Sequence, residues 1–381
     1  MDGSTALTLG NAVNLGAALT LGGSNNITLN GDISGVGSLT KNGASLLTLN
    51  GTNGFSGGLN LNAGSVLLGS STAAGTGALN IGGNVSLDAA VALNLGNNVA
   101  LGTGAILTLP GSQNITLGGV VSGNGGLAKN GATVLTLNGA NTFGGGLDLA
   151  GGGLLLGNSG ALGTGALNVA ANASLDNSIA LGLTNVVNLG AGSALTLIGS
   201  NALTLDGVIS GTGSLVKNGA GTLTLGNANG FSGGLALNGG NLQLGNAGAL
   251  GTGALNVGGN ATLDTAAAYT VGNAINLASG TTLALQGSNA LTLGGVVSGN
   301  GALVKNGAAT LTLTNANTYV GSTTINAGTL ALGAGGSLAV GGDVTSAAPA
   351  RALTYRRQPA TRPSARWMAW PVRRSCWEGT R

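Results

Sequence analysis

The 381-residue sequence has no histidine, one cysteine (Cys376), one glutamate (Glu378) and only 2% aromatic residues. Without histidine there is no Ser-His-Asp triad and no histidine-ligated metal, and one cysteine cannot form a zinc cluster or an internal disulfide. Charged residues make up 6% of the chain, whereas an average protein carries about 25%. These absences exclude the commonest catalytic and metal-binding constellations.

The few charges are divided unevenly along the chain. Residues 1–350 contain four Lys and eight Asp, whereas residues 351–381 contain eight Arg, one Glu, all three Trp and three of the five Pro. A basic, aromatic-bearing segment is also typical of a nucleic-acid or membrane-surface patch. Because the composition changes abruptly where the regular pattern stops, we predict instead that residues 346–381 are a disordered or non-native tail. No nucleic acid and no small-molecule substrate is expected as a partner.

Glycine is abundant, at 77 residues, and the sequence repeats itself every 88 residues. The residues that recur at this spacing are Lys41, Lys129, Lys217 and Lys305, Phe55, Phe143, Phe231 and Tyr319, and Asp88, Asp176 and Asp264. The neighbouring segments recur as well, and the pattern ends where Ser346 replaces an expected apolar residue. Residues 1–345 therefore form one repetitive region, and we expect it to be an internal part of a longer array.

Each unit consists of short segments in which apolar and small polar residues alternate, such as Leu47-Thr48-Leu49. Alternation with period 2 predicts strands, and the intervening Asn-Gly, Gly-Gly and Ser-Gly pairs favour tight turns. Sandwiches and propellers need longer strands and more aromatic residues. The sequence therefore predicts an all-β fold, a right-handed parallel β-helix with leucine ladders inside and Thr, Asn and Ser outside.

The repeat length also predicts the dimensions of the β-helix. Turns of roughly 20–24 residues divide each of the four 88-residue units into about four turns. The repetitive region would then contain about 15–16 turns and form a rod of roughly 75 Å, at about 4.8 Å per turn.

The unit resembles the passenger-associated repeat of bacterial autotransporters, also called the autotransporter-associated β-strand repeat. The family pattern G-x-G-x-L-x-K-x-G-x-G-T-L-x-L is matched by residues 211–225, and its continuation N-x-[YF]-x-G by residues 229–233. The last copy matches the second half of the pattern over residues 317–330. This resemblance implies a β-helical passenger that is displayed on the Gram-negative cell surface or secreted. It also implies a C-terminal translocator barrel in the outer membrane on the same chain.

Two features of the family pattern are not found in this sequence. The segment that begins Met1-Asp2-Gly3-Ser4 has neither the basic region nor the apolar core of a signal peptide. The longer strands and aromatic girdles of a translocator barrel are not recognisable either. We therefore expect the chain to be a fragment of its parent protein, and export of the chain by itself is not predicted.

The repeated charged residues have plain structural interpretations. Asn follows each repeated lysine, so the phosphate-loop pattern is not met, and we predict solvated turn lysines that discourage lateral aggregation. The repeated aspartates, spaced about 19 Å along the rod, are too far apart to share a calcium ion or to act as a catalytic pair. Threonine rows that occur once per unit are too sparse for an ice-binding face. We expect no catalytic, cofactor-binding or metal-binding residues.

The sequence thus predicts a non-enzymatic structural stalk segment of an autotransporter passenger, one that supports adhesion, self-association or export through homotypic or host-surface contacts. Two alternatives remain at this stage. The chain is otherwise the β-helical scaffold of a secreted enzyme whose catalytic part lies elsewhere, or a non-functional gene remnant.

Overall fold

The alternating segments form strands, as expected from their period-2 pattern. The computed structural model describes residues 1–338, residues 341–346 and the backbone of residues 353–355. These described residues contain 44 strands of three to five residues and no helix. Adjacent strands are parallel and pair with residues about 20 positions away, as Leu7 does with Ile27 and Leu203 with Leu223. The chain is therefore a parallel β-solenoid of about 17 turns, which confirms the predicted fold class.

Six sheets contain these strands. The first eleven-stranded sheet consists of Leu7–Leu9, Ile27–Leu29, Leu46–Leu49, Gly64–Leu68, Val85–Ala89, Ile106–Leu109, Gly126–Lys129, Leu147–Leu149, Leu167–Val169, Val187–Leu189 and Ile209–Gly211. The five-stranded sheet consists of Tyr269–Val271, Leu291–Leu293, Thr310–Leu313, Thr329–Leu332 and Leu353–Tyr355. The two-stranded sheet consists of Val13–Leu15 and Ile33–Gly35.

The other three sheets are as follows. The second eleven-stranded sheet consists of Leu93–Leu95, Ile115–Leu117, Val134–Leu137, Gly153–Leu156, Ala173–Asn177, Ala194–Leu197, Ser214–Lys217, Leu235–Leu237, Leu255–Val257, Ile275–Leu277 and Val297–Gly299. The six-stranded sheet consists of Leu19–Leu21, Leu39–Lys41, Leu59–Leu61, Leu79–Ile81, Val99–Leu101 and Val121–Gly123. The nine-stranded sheet consists of Leu181–Leu183, Leu203–Leu205, Thr222–Leu225, Gly240–Leu244, Ala261–Thr265, Thr282–Leu285, Ala302–Lys305, Thr323–Ile325 and Val344–Ser346.

Each turn of the solenoid passes through three walls. Outside the places where a strand is missing, three sheets are present at each height, and the order in which the chain visits them assigns each sheet to a wall. Wall 1 contains the first eleven-stranded sheet and then the five-stranded sheet. Wall 2 contains the two-stranded sheet and then the second eleven-stranded sheet, and wall 3 contains the six-stranded sheet and then the nine-stranded sheet.

The change of sheet within a wall occurs where two successive turns have no strand on that wall. We call the residues at these places gap segments. They are residues 50–58 and 69–78 on wall 2, 138–146 and 157–166 on wall 3, 226–234 and 245–254 on wall 1, and 314–322 and 333–343 on wall 2 again. The structure describes the last of these except residues 339 and 340. Each 88-residue unit thus contributes one pair of gap segments, and successive pairs lie on different walls.

The unit is not a whole number of turns. From one repeated lysine to the next there are 11 strands and two gap segments, hence 13 wall positions, or four and one third turns. Lys41 accordingly lies in the sheet of wall 3, Lys129 in wall 1, Lys217 in wall 2 and Lys305 in wall 3 again. Equivalent residues of neighbouring units are therefore turned by one third of a revolution around the rod.

The interior is one continuous cluster of leucine, valine and isoleucine side chains. Strand residues alternate between buried and partly exposed positions, as in Leu47-Thr48-Leu49, so the leucines point inward and the threonines outward. Burial of apolar surface contributes roughly 25 cal/mol per Å², and stacking of identical leucines on successive turns fixes the register. The prediction of leucine ladders in the core is confirmed.

The number of turns is slightly larger than predicted, about 17 in place of 15–16. Most turns have 20 residues, as between Leu127 and Leu147, which is the lower limit of the predicted range. At about 4.8 Å per turn, 17 turns give a rod of about 82 Å.

The stacking also continues past residue 345, where the sequence predicted its end. Ser346 closes a strand that pairs with Thr323–Ile325, and the backbone of Leu353–Tyr355 pairs with residues 330–332. Parallel pairing needs only backbone groups, so loss of the apolar pattern does not by itself stop it. The rest of the predicted tail, 346–381, lies outside the described residues.

Candidate functional site

The four repeated lysines are buried, so the prediction of solvated turn lysines is wrong. Lys41, Lys129 and Lys217 are each 1% exposed and Lys305 is 2% exposed. Each occupies an inward position of its strand, in phase with the leucine two residues before it. The alternation that turns Leu39 inward also turns Lys41 inward, because side chains two residues apart share a face of a strand.

The ammonium groups are bound by backbone carbonyls. Each lysine Nζ donates a hydrogen bond to the carbonyl oxygen two residues further along: Lys41 to Gly43 at 2.5 Å, Lys129 to Gly131, Lys217 to Gly219 and Lys305 to Gly307. Lys217 and Lys305 also donate to a carbonyl in the next turn, those of Gly239 at 3.5 Å and Ala327 at 3.3 Å. In these two copies the lysine links the Asn-Gly segment that follows it to the next turn of the solenoid.

Burial lowers the pKa of Lys41, Lys129 and Lys217 below the ordinary value of 10.5. The cause is the loss of water around the ammonium group, which disfavours the charged form. These three side chains are hydrogen-bonded to carbonyl oxygens and form no ion pair within the described part of the chain. They cannot act as accessible bases or nucleophiles, because solvent and substrate do not reach them.

One asparagine per unit joins three successive turns at the gap segments, and it is buried in three units and half-buried in the third copy. Its Oδ1 accepts a hydrogen bond from the backbone N–H of a strand in the turn below, and its Nδ2 donates to a carbonyl in the turn above, at 2.6–2.8 Å. These residues are Asn53, Asn141, Asn229 and Asn317. A side chain here replaces the hydrogen bonds that a strand would make, which buried backbone groups require.

A second repeated asparagine donates hydrogen bonds to the second gap segment of a pair from the turn above it. Asn97 donates through Nδ2 to the carbonyl oxygens of Gly75 and Gly77, at 3.0 and 2.6 Å. Asn185 and Asn273 make the same pair of contacts in the next two units. No role was predicted for either set of asparagines from the sequence, although both recur every 88 residues.

The repeated aromatic residues fill the core behind the gap segments. Phe55, Phe143, Phe231 and Tyr319 are fully buried. Gly163 passes next to Phe143 with φ = 62°, and a Cβ on Gly163 would lie 2.3 Å from the Phe143 carbonyl oxygen. The ring takes the place of the missing inward leucines, and the glycine lets the chain turn tightly around it.

The repeated aspartates each bind a serine in the next turn and do not cluster. Asp88 accepts hydrogen bonds from the backbone N–H of Ser112 at 3.2 Å and from its hydroxyl at 2.5 Å. Asp176 and Asp264 bind Ser200 and Ser288 in the same way. The described residues contain no group of three or more His, Cys, Asp or Glu side chains that could hold a metal ion.

Amide side chains form hydrogen-bonded ladders on the outer surface. Asn168 donates to Asp148 at 2.7 Å, Asn188 donates to Asn168 at 2.7 Å, and Ser210 donates to Asn188 at 3.0 Å. Each ladder continues over only a few turns of one wall, and the next copy lies on another wall. The outer surface is therefore polar and nearly uncharged, without one continuous binding stripe of identical residues.

The contacts of the repeated lysines, asparagines, aromatic residues and aspartates join neighbouring turns of the solenoid. A shallow groove on wall 3, of about 420 Å³, is lined by amide, hydroxyl and small aliphatic side chains and by glycines, among them Asn60, Asn80 and Ala100. No helix in the described ranges has the length and apolarity needed to cross a membrane.

Four segments of the chain match the family model described as Passenger-associated-transport-repeat: residues 39–68, 127–156, 215–244 and 303–332. Each match begins at the strand of the buried lysine and includes the first gap segment with its buried asparagine and aromatic residue. Such repeats are typical of autotransporter passenger regions, and four of them in a β-solenoid are consistent with an autotransporter passenger repeat protein. Comparisons with curated proteins and with solved structures found no match.

Proposed function

We propose that residues 1–346 form a non-enzymatic stalk segment of an autotransporter passenger that is secreted or exposed on the Gram-negative cell surface. The observation that carries this proposal is the four passenger-associated repeats, which are built into one uninterrupted stack of parallel strands. A single core runs along the described stack, so the rod resists bending between units. Such a rod holds whatever is attached to its end at a distance from the cell.

The contacts between turns support a role in export. Each strand pairs only with the turn below and the turn above, about 20 residues away. A solenoid built in this way folds by adding one turn at a time to a folded end. Folding outside the cell would then help to draw the chain outward through the translocator barrel that the autotransporter context implies.

The chemistry of the surface supports contacts made by hydrogen bonds. Outward positions carry Asn, Thr and Ser, and the aspartates stand singly. Flat, neutral walls of this kind suit adhesion to a host surface or lateral contact with a second rod. Polysaccharide-cleaving enzymes need a pair of carboxylates, whereas the repeated aspartates Asp88, Asp176 and Asp264 each bind a serine of their own, and this supports the non-enzymatic assignment.

Surface display tests this proposal. Residues 1–346 are placed between a signal peptide and an outer-membrane translocator barrel in Gram-negative cells, and exposure is measured by antibody binding and by proteolysis of intact cells. We expect display of the wild-type rod and reduced display of Phe143→Asp, which places a charge in the core behind a gap segment. Retention of the wild-type rod in the periplasm, while an unrelated passenger is displayed, would contradict the proposal. Release of reducing sugar ends from polysaccharides by the purified chain would contradict its non-enzymatic part.

A further inference from the structure

A small chamber lined by leucines and a few polar side chains lies at a corner of the solenoid beneath the last repeated lysine. Leu263 pairs with Leu285, and Leu285 pairs with Lys305 in the turn above. Thr265, two residues after Leu263, lies under Gly287 at this corner. The Lys305 side chain extends over the same glycine, with Nζ 2.8 Å from the place that a Cβ on Gly287 would occupy. The corner thus spans three successive turns, which contribute Thr265, Gly287 and Lys305.

Two buried polar atoms at this corner find no hydrogen-bond partner among the described residues. They are Oγ1 of Thr265 and, 88 residues earlier at the equivalent corner, Oδ1 of Asn177. The two residues are 2% and 1% exposed. The Asn177 amide is already oriented by its two N–H groups, which donate to the carbonyls of Ile179 and Ala202 at 2.7 and 2.9 Å. Turning the amide over would break both bonds, so its oxygen needs a donor from elsewhere.

The chamber has room for one small molecule. Thr265, Asn289 and Lys305 line a cavity of about 10 Å³. A cavity of about 10–15 Å³ on this scale is the smallest that holds a water molecule, and a site with several polar neighbours keeps water bound. A chloride ion is larger than this space.

We propose that a buried water molecule occupies each of these two corners. It joins the unpartnered oxygen, Thr265 Oγ1 or Asn177 Oδ1, to the lysine above it, Lys305 or Lys217. At the equivalent corner, where Lys217 Nζ lies 3.1 Å from the place of a Cβ on Gly199, the bound species must donate a hydrogen bond to Asn177 Oδ1. An anion cannot donate that bond, and the ammonium repels a metal cation. Water donates to the oxygen and accepts from the ammonium, so it suits both neighbours.

The other copies of the corner provide an internal comparison. Ala89 stands 88 residues before Asn177, and Gly3 stands at the first corner, because it follows Asp2, which binds Ser24 as Asp88 binds Ser112. Neither Ala89 nor Gly3 has a side-chain polar atom that would need a partner. The proposed water is therefore expected at the corners beneath Lys217 and Lys305. The corners beneath Lys41 and Lys129 do not require it.

Two measurements on the full chain test the proposal. The first is a crystal structure at a resolution that shows ordered water. We expect density for one water within hydrogen-bond distance of Thr265 Oγ1 and for another within hydrogen-bond distance of Asn177 Oδ1. The second compares the urea midpoints of Thr265→Val and of Thr281→Val. Thr281 is the matched control, because its buried hydroxyl already donates to the Ala278 carbonyl at 2.8 Å.

The direction in which Thr265→Val shifts the urea midpoint distinguishes a chamber that holds water from a dry one. If water is bound, Thr265→Val deprives it of a partner and lowers the urea midpoint, as Thr281→Val does by leaving a carbonyl without its hydroxyl donor. If the chamber is dry, Thr265→Val removes an unsatisfied hydroxyl and leaves the midpoint unchanged or raises it. That result, or an empty chamber in the crystal structure, would overturn the proposal.

Discussion

The buried lysines show how strand alternation decides the environment of a single residue. In Leu39-Thr40-Lys41 the lysine is in phase with the leucine, so both point into the core. The prediction of a solvated turn lysine did not take this alternation into account, and an Asn-Gly pair follows the lysine immediately. The turn begins one residue later than that, and its glycine carbonyl supplies the hydrogen bond that a buried ammonium needs.

Replacing the lysines should remove part of the pH dependence of stability. Burial lowers the pKa of Lys41, Lys129 and Lys217 below the 10.5 of the unfolded chain. Between the folded pKa and 10.5 the unfolded chain holds more protons, so the free energy of unfolding should rise with pH in this window. Below the folded pKa both states are protonated and this contribution is constant. The triple variant with methionine at these positions should lose the alkaline gain, measured by urea unfolding from pH 7 to 10.5.

The control for this experiment uses the outward neighbours of the same lysines. Methionine in place of Thr40, Ala128 and Val216 adds the same side chain on the outer face of the same strands. This control variant should keep the alkaline gain of the wild type. An equal loss of the gain in both variants would show that it does not come from the lysines.

The buried asparagine of a gap segment should contribute more to the free energy of unfolding than a partly exposed asparagine of a surface ladder. Asn141→Ala leaves the Val121 N–H and the Ala161 carbonyl without their partner at a buried position. An unsatisfied buried group costs about 1–3 kcal/mol, so we expect about 2 kcal/mol or more from urea unfolding. Asn168→Ala removes two ladder hydrogen bonds, with Asp148 and Asn188, at a partly exposed position and should cost about 1 kcal/mol or less. Equal losses would mean that the gap segment does not depend on its asparagine.

At the scale of the element, the gap segments are the places where the chain leaves the strand pattern. Backbone bonds still join the turns there, as between the Thr164 N–H and the Phe143 carbonyl at 2.9 Å. The segment must fit an aromatic ring and a tight turn in the space of one strand. Glycine with positive φ makes this possible, and a Cβ on Gly163 would lie 3.0 Å from Cδ1 of the Phe143 ring.

A pair of glycine variants should separate backbone strain from steric contact. Gly163 and Gly192 have similar φ angles, 62° and 71°, so alanine strains the backbone at both by about 1 kcal/mol. A Cβ on Gly163 would lie 2.3 Å from the Phe143 carbonyl oxygen, whereas a Cβ on Gly192 would meet nothing within 4 Å. Gly163→Ala should therefore cost at least about 2 kcal/mol more in urea unfolding than Gly192→Ala. Similar costs for the two would argue against a close-packed gap segment.

The strands could be predicted from the sequence, and the gap segments could not. Leu47-Thr48-Leu49 and its relatives carry a period-2 pattern that states both the element and its inward face. Asn53 and Asn97 carry no such pattern, because their partners lie about 20 residues away in other turns. The repeat spacing shows that these asparagines recur, but only the stacking shows which backbone groups they satisfy.

At the scale of the whole molecule, the fractional turn in each unit distributes the gap segments around the rod. A unit of exactly four turns would place all gaps on one wall and leave a line of interruptions along it. With four and one third turns, each pair of gap segments is flanked by two walls whose strands continue past it. The first eleven-stranded sheet, for example, runs past the gaps at residues 50–58 and 138–146. Successive units thereby reinforce one another, as a rigid stalk requires.

This geometry predicts that one whole unit can be removed without a fault in the stacking. Deleting residues 130–217 joins Lys129 to Asn218, which restores the Lys-Asn-Gly segment and the register of every later strand. Four and one third turns are lost, so the rod should shorten by about 21 Å from about 82 Å and keep its β-sheet spectrum. Small-angle scattering measures the length and circular dichroism the strand content.

Deletion of half a unit is the matched control for this prediction. Removing residues 130–173 joins Lys129, the end of a wall 1 strand, directly to Ser174 inside a strand of wall 2. The Asn-Gly turn between the two walls is lost, so the chain cannot form the corner and the later strands cannot keep their register. This deletion should reduce the urea midpoint sharply, although it removes fewer residues than deletion of the whole unit. If the two shortened chains were equally stable, the 88-residue unit would not be the period on which the stacking depends.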